Sequence, residues 1–360
     1  MAVGLQSPPM SLIAAALHIR IDAWLNELPA LLLLAVGVPL MLWGADRLVS
    51  GSVSLAQRLG ISTVIIGLTV VSAGTSAPEL VVNLIAATGG NPGLGFGNVV
   101  GSNIANIGLV VGIGALIMPM RVHSRVIRSE LPWLTGISIG AILLVLIPIG
   151  RVSGDAGGRF QFGFSTIEGI ALSIAFLVLT YLWYRACRSP VSDPISREVE
   201  DVTKDAGDHT LLGAIVLFLI GLTCLLIGGK FTELGAVRIA SSLDLSNAVI
   251  GMTVVAVATS LPELTTTIVA ARRGHADLAI GNIVGSNIFN ILLVLGVTSM
   301  IAPIPLPTNG LQDMIAMLAM TLLLWRMCTT DRLKVVRREG GILLALYVIY
   351  ITWGVIREIV

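Results

Sequence analysis

Apolar runs of bilayer length follow one another from about residue 29 to the C-terminus, and a single long polar stretch interrupts them. A membrane-crossing helix needs about 17–25 predominantly apolar residues. Ten segments meet that need, near 29–50, 61–88, 94–117, 131–150, 165–185, 210–229, 246–271, 277–300, 311–328 and 341–357. The interruption, 186–209, gathers Arg188, Asp193, Arg197, Glu198, Glu200, Asp201, Lys204, Asp205 and Asp208, and reads as a solvated linker. It leaves five apolar segments on either side. Only 12% of the residues are charged and 55% are hydrophobic, whereas a soluble domain carries about 25% charged residues. Lipid is therefore the expected solvent, and the expected fold class is an all-α membrane protein of ten transmembrane helices. Residues 1–28 hold only a short apolar run, Ser11 to Leu17, with no basic stretch before it. They read as a lead-in rather than a cleaved signal peptide.

The two halves repeat each other. Residues 67–114 align without a gap to 251–298, and about 25 of the 48 pairs are identical. Thr75 falls on Thr259, Pro78 on Pro262, Glu79 on Glu263, Ser102 on Ser286 and Asn106 on Asn290. Shared hydrophobicity aligns Leu with Val; it does not produce Thr-Ser-x-Pro-Glu and Gly-Ser-Asn-Ile twice. Five segments per half is an odd number, so the second half enters the membrane from the opposite side. Two inverted five-helix repeats, 29–185 and 210–360, follow, and inverted repeats are a transporter signature.

Loop charge sets an expected orientation. The loops after the first, third, fifth, seventh and ninth segments hold 16 of the 22 Lys and Arg residues. The positive-inside rule places them in the cytoplasm, the 186–209 linker with them, and both termini outside an inner membrane. The basic clusters Arg121-Val122-His123-Ser124-Arg125 and Arg337-Arg338 then read as cytoplasmic anchors, and a net charge of +1 offers nothing to nucleic acid. Cys187, Cys224 and Cys328 have no CxxC spacing and suggest neither disulfides nor zinc.

Glu79 and Glu263 are the acidic residues placed deepest in apolar segments, while Asp46 and Glu233 lie nearer the segment ends. An ionised carboxylate at mid-bilayer costs at least about 2.5–3.5 kcal/mol, and a bound cation offsets that cost. Thr75 and Glu79 are four apart and would share one helical face, as would Thr259 and Glu263. Ser76 and Ser260 add hydroxyls. Pro78 and Pro262 should free the carbonyls of Gly74 and Ala258. Carbonyls, hydroxyls and carboxylates are the oxygens that calcium takes, about 6–8 of them, and no His or Cys stands with them as a softer metal would want. Ser102 with Asn106, and Ser286 with Asn290, add polar faces on the next segments. Glycines four apart, Gly93, Gly97 and Gly101, Gly108 and Gly112, Gly281 and Gly285, would let those segments approach closely. Asn98, Asn103, Asn282 and Asn287 read as capping or packing residues.

These motifs resemble a known family. Gly74-Thr75-Ser76-Ala77-Pro78-Glu79 with Gly101-Ser102-Asn103-Ile104-Ala105-Asn106 is similar to the first alpha-repeat of the cation/calcium exchangers. Ala258-Thr259-Ser260-Leu261-Pro262-Glu263 with Gly285-Ser286-Asn287-Ile288-Phe289-Asn290 is similar to the second. The resemblance implies that segments two, three, seven and eight enclose the ions. It makes Glu79 and Glu263 shared calcium ligands, with Thr75, Ser76, Thr259 and Ser260 giving hydroxyl or backbone oxygens. Carbonyls of Ser72 and Ala256 would serve flanking sodium sites, and Ser102, Asn106, Ser286 and Asn290 would complete the pocket. Segments one and six would be a long tilted pair that slides across this core. Some members carry Asp where this chain has Asn290, and many have Ala where it has Ser72.

The function expected is gradient-driven exchange of calcium for sodium, with no cofactor, no ATP site and no enzymatic step; no Walker loop is present. Proton/calcium or potassium-dependent exchange on the same scaffold is the alternative. A cation channel and a non-transporting membrane protein are further readings.

Overall fold

The computed structural model describes residues 28–90, 92–123, 126–146, 152–153, 160–187, 210–243, 256–329 and 333–359. The lead-in up to residue 27, the linker from 188 to 209 and the start of the expected seventh segment, 246–255, lie outside the described residues. Twelve helical stretches and six very short strands make up the rest: α1 Ala30–Leu59, α2 Thr63–Thr75, α3 Ala77–Thr88, α4 Pro92–Ile117, β1 Met120–Arg121, α5 Val126–Leu146, β2 Val152–Ser153, β3 Phe160–Gln161, β4 Gly163–Phe164, α6 Thr166–Cys187, α7 Leu211–Ser242, α8 Ala256–Thr259, α9 Leu261–Arg272, α10 Ala276–Ile301, β5 Ile304–Pro305, α11 Gly310–Thr329, β6 Lys334–Val335 and α12 Arg337–Ile359. Eight of these helices are long and apolar enough to cross a bilayer, and α2 with α3, bent by 42°, supply a ninth, broken span. The chain is a mostly helical multi-pass membrane protein. The strands pair in twos, β1 with β6, β2 with β3 and β4 with β5, and tie loops together at helix ends.

The centre of the molecule is built from α10 and α4. Their apolar windows are 94% and 78% buried, against 17% for α12. Outer helices turn large side chains such as Leu177 and Leu212 outward, as a lipid-facing surface requires. The broken helices flank this centre crosswise. The second-half α9 packs on the end of α4, and the first-half α3 packs on the end of α10. The helices α4, α10, α2 and α5 contain π-helical turns, at Asn106–Val111, Asn290–Val294, Gly67–Val71 and Val126–Glu130. Wider turns of this kind recur at functional sites. Two of these begin on the repeat-equivalent Asn106 and Asn290.

Helices α1 and α7 form an antiparallel pair against the outside of this centre. They hold 30 and 32 residues, so they reach about 45–48 Å at 1.5 Å per residue. The apolar segments 29–50 and 210–229 stop well short of these ends. A helix of that length tilts across a hydrocarbon layer of about 30 Å. Glycines spaced by seven, Gly37, Gly44 and Gly51 on α1 and Gly221, Gly228 and Gly235 on α7, set the contact. A methyl group on Gly44 would stand 2.4 Å from the Leu225 nitrogen, one on Gly221 2.3 Å from the Leu48 nitrogen, and one on Gly228 2.4 Å from the Met41 nitrogen. Backbone meets backbone along the whole seam.

Because these helices are long, Asp46 and Glu233 lie inside them rather than near their ends. Asp46 is ion-paired with Arg273 at the end of α9, and Arg273 also donates to Ser50 Oγ. Glu233 pairs with Lys230 at 3.1 Å within α7. Arg273 is thus a link between α1 and the centre.

Of the glycines expected at helix contacts, Gly281 and Gly285 do bring α10 onto α2, with hypothetical methyls 2.7 Å from the Val64 carbonyl and 2.5 Å from that of Leu68. Gly108 and Gly112 face Tyr347 and Leu344 of α12 instead of the pocket. Gly93, Gly97 and Gly101 have no described atom within 4 Å of such a methyl.

Helix α1 ends on Gly60, whose φ of 66° is left-handed. A side chain pays roughly 1–2 kcal/mol there. Gly60→Ala should lower stability by about 1 kcal/mol, read as a drop in melting temperature of the detergent-solubilised protein, without changing transport per folded molecule.

Candidate functional site

Each of the two repeated motifs breaks a helix at the same place. Ser76 has φ −88° and ψ 5°, and Ser260 has φ −91° and ψ 4°. Proline follows two residues later, inside the first turn of α3 and of α9. A proline there costs little, because the first-turn N–H groups have no helical partner. The expectation that Thr75 and Glu79 share one continuous helical face is therefore corrected. Thr75 closes α2, whereas Glu79 lies in the first turn of α3, and the same holds for Thr259 and Glu263 around Ser260. The carbonyl of Gly74 is also less free than expected, because backbone N–H groups at the Ser76 cap turn to Gly74 and Ser72. Both carboxylates stand at helix N-termini, where the macrodipole favours negative charge.

Glu79 and Glu263 are 1% and 0% exposed. The first-half motif reaches across to the second. Ser76 Oγ donates to Glu263 Oε1 at 3.3 Å, and Ser286 Oγ donates to the same oxygen at 3.5 Å. Thr75 Oγ1 donates to Asn282 Oδ1 at 3.2 Å and lies 3.4 Å from Ser286 Oγ. Several buried oxygens have no hydrogen-bond partner among the described residues: Glu79 Oε2, Glu263 Oε2, Ser260 Oγ, Asn106 Oδ1 and Asn290 Oδ1. They come from both halves. A buried polar atom without a partner costs about 1–3 kcal/mol, and five of them close to one motif pair mark a place built to receive something positive.

The other expected residues take varied positions. Ser102 is 4% exposed, on α4 one turn before Asn106. Thr259 is partly buried at the end of α8, and Ala256 is the first residue of that helix. The Ser72 hydroxyl turns back into its own helix, donating to the Leu68 carbonyl at 2.8 Å, and the Ser72 carbonyl accepts from Ser76 N at 2.9 Å. Asn282 does more than pack, since it holds Thr75. Asn103 and Asn287 link α4 to α10.

Three polar residues beyond the expected set belong to the same region. Asn83 lies one turn after Glu79, fully buried, with Oδ1 accepting from Asn98 Nδ2 at 3.3 Å and its own Nδ2 without a partner among the described residues. Thr266 and Thr267, just after Glu263, are fully buried with hydroxyls that lack partners among the described residues. The signal was a polar residue at i+3 or i+4 from a buried glutamate, on the face that α3 and α9 turn inward.

The fold and this doubled, oppositely packed acidic motif define a membrane transporter of the exchanger class. The family model described as sodium/calcium exchanger protein matches residues 29–185 and 213–355. The chain belongs to the sodium/calcium exchanger family. It is 32% identical over 342 residues to the sodium/calcium exchanger MaX1 of Methanosarcina acetivorans, covering 89% of this chain and 97% of that one. It is 38% identical over 277 residues to the inner membrane protein YrbG of Escherichia coli, covering 75% and 79%. Its fold is similar to the solved structure of the sodium-calcium exchanger NCX_Mj soaked with zero sodium and calcium. The TM-score is 0.73 at 32% identity, over 90% of this chain and 98% of that one.

Proposed function

We propose that this chain is a secondary antiporter that exchanges calcium for sodium by alternating access, using ten transmembrane helices arranged as two inverted five-helix repeats. One observation carries the reading. Two fully buried carboxylates, one from each half, each keep an oxygen without a hydrogen-bond partner among the described residues. Calcium neutralises both and takes about 6–8 oxygens. Its ligands are drawn from Glu79, Glu263, Thr75, Ser76, Thr259, Ser260, Ser102, Asn106, Ser286 and Asn290. Sodium ions replace it at the centre and on flanks formed with the carbonyls of Ser72 and Ala256. Without a cation the pocket holds two uncompensated charges in a medium that penalises each by about 2.5–3.5 kcal/mol or more, so the empty carrier reorients poorly. That penalty is what couples the two fluxes, and no ATP is needed.

The inverted repeat is supported by bonds that swap the halves. Asn103 Nδ2 donates to the Asn287 carbonyl at 3.2 Å, and Asn287 Nδ2 donates to the Asn103 carbonyl at 3.3 Å. In a cell the chain would lie in the inner membrane with both termini outside and the 186–209 linker in the cytoplasm.

The test is calcium uptake into proteoliposomes. An outward sodium gradient should drive saturable uptake that stops when sodium is equal on both sides. Uptake driven in sodium-free medium by a pH gradient would assign the chain to proton/calcium exchange instead. A strict need for potassium would assign it to potassium-dependent exchange, and flux without counter-transport would make it a channel.

A further inference from the structure

We infer that Asn103 and Asn287 are positioning residues that fix the polarity of the cation pocket, by forcing Asn106 and Asn290 to present oxygen rather than N–H to the ion. The inference rests on the cation-exchange reading above and concerns two residues outside its ligand set.

All four asparagines are at most 1% exposed. An asparagine amide has one accepting and one donating end. Which end is which has to be deduced from what each faces, and here the partners leave no choice. A backbone carbonyl only accepts. The Asn103 amide faces the Asn287 carbonyl at 3.2 Å, so the facing atom is Nδ2. The Asn287 amide faces the Asn103 carbonyl at 3.3 Å, so its facing atom is Nδ2 as well. The other ends of these two amides are therefore oxygens. Asn103 Oδ1 lies 3.1 Å from the amide of Asn290, whose facing atom must donate and is Nδ2. Asn287 Oδ1 lies 3.0 Å from the amide of Asn106, with the same consequence.

What remains at Asn106 and Asn290 is Oδ1 on each, buried and without a partner among the described residues. Two main-chain carbonyls thus determine the orientation of four side-chain amides through one relay on each side. Without the relay, either outer amide could rotate by 180° and aim N–H at a cation. Asn106 and Asn290 also open the π-helical turns of α4 and α10. The same device occurs twice, on residues related by the repeat.

A double-mutant cycle tests the inference, read as the calcium dissociation constant of the purified protein by calorimetry. Asn103→Leu removes the acceptor that holds Asn290. It should weaken calcium binding by about 10–100-fold, the usual cost of removing a residue that orients a metal ligand. Asn290→Asp presents oxygen in either rotamer, so its polarity no longer depends on Asn103. In the Asn290→Asp background, Asn103→Leu should therefore leave the constant within about threefold, or strengthen binding by removing an oxygen that faces the carboxylate. An equal loss in both backgrounds would show that Asn103 serves packing alone, and no loss in the native background would also overturn the inference. Asn287→Leu with Asn106→Asp forms the equivalent cycle, and serves if Asn103→Leu fails to fold. A native protein that binds no calcium would instead defeat the exchange reading, before any variant is compared.

Discussion

Glu79→Gln and Glu263→Gln each reduce calcium uptake by at least about 100-fold, while the protein still folds and inserts. Glutamine keeps the volume, and at position 263 can keep the contacts from Ser76 and Ser286, but removes one of the two negative charges. Calcium entering such a pocket leaves a net positive charge buried away from water. Uncompensated buried charge costs about 3–5 kcal/mol, and each 1.4 kcal/mol is tenfold, which gives the expected loss. Stability should move the other way. Without cation, the two native carboxylates, 1% and 0% exposed, bear on each other. Either Gln variant should then melt higher than the native protein in calcium-free buffer, and gain less on adding calcium. Undiminished sodium-driven uptake by either variant would remove the basis of the proposed exchange.

The second large effect is at the seam of α1 and α7. Gly228→Ala should cost about 1–3 kcal/mol, the usual range for forcing extra atoms into a packed contact, and should cut transport sharply. The added methyl would lie 2.4 Å from the Met41 nitrogen and 2.7 Å from the Gly37 carbonyl, and neither is a side chain that can move aside. Gly229→Ala, one residue along, is the control. Among the described residues its methyl would meet Pro262 alone, Cγ at 3.6 Å and Cδ at 3.9 Å, both ordinary contacts, so melting temperature and uptake should stay near native. If Gly228→Ala behaves like Gly229→Ala, the seam is not the close contact described.

Much of this was legible in the residues, and the exceptions have physical reasons. The doubled Thr-Ser-x-Pro-Glu motif located both buried carboxylates, because chemistry that costs energy in lipid stands out against an apolar background. Pro78 and Pro262 pointed to lost helical bonds at this place, on a face expected to be continuous, and not to the break itself. Proline settles into the first turn of a new helix, so Thr75 and Glu79 belong to different helices instead of sharing a face. The true lengths of α1 and α7 were hidden by Asp46, Arg47, Lys230 and Glu233, which look like ends to any count of apolar residues. Asp46 and Lys230 find partners in Arg273 and Glu233, and the helices continue past them. The π-helical turns at Asn106 and Asn290 leave no local mark, since they answer to packing between halves. The seven-residue glycine spacing was visible but was outweighed by the more familiar spacing of four. Asn103 and Asn287 were read as capping or packing residues from their type alone; only the direction of each amide shows what else they hold.

The brace from Asp46 to Arg273 has no counterpart under the repeat. The matching positions are Lys230 and Gly89, which carry no such attraction. Partly exposed pairs of this sort contribute about 1 kcal/mol at most, a population ratio of roughly fivefold. Under the proposed alternating access, a carrier of two like halves would in this way gain a modest preference for the posture that closes this pair, and low salt should deepen that preference.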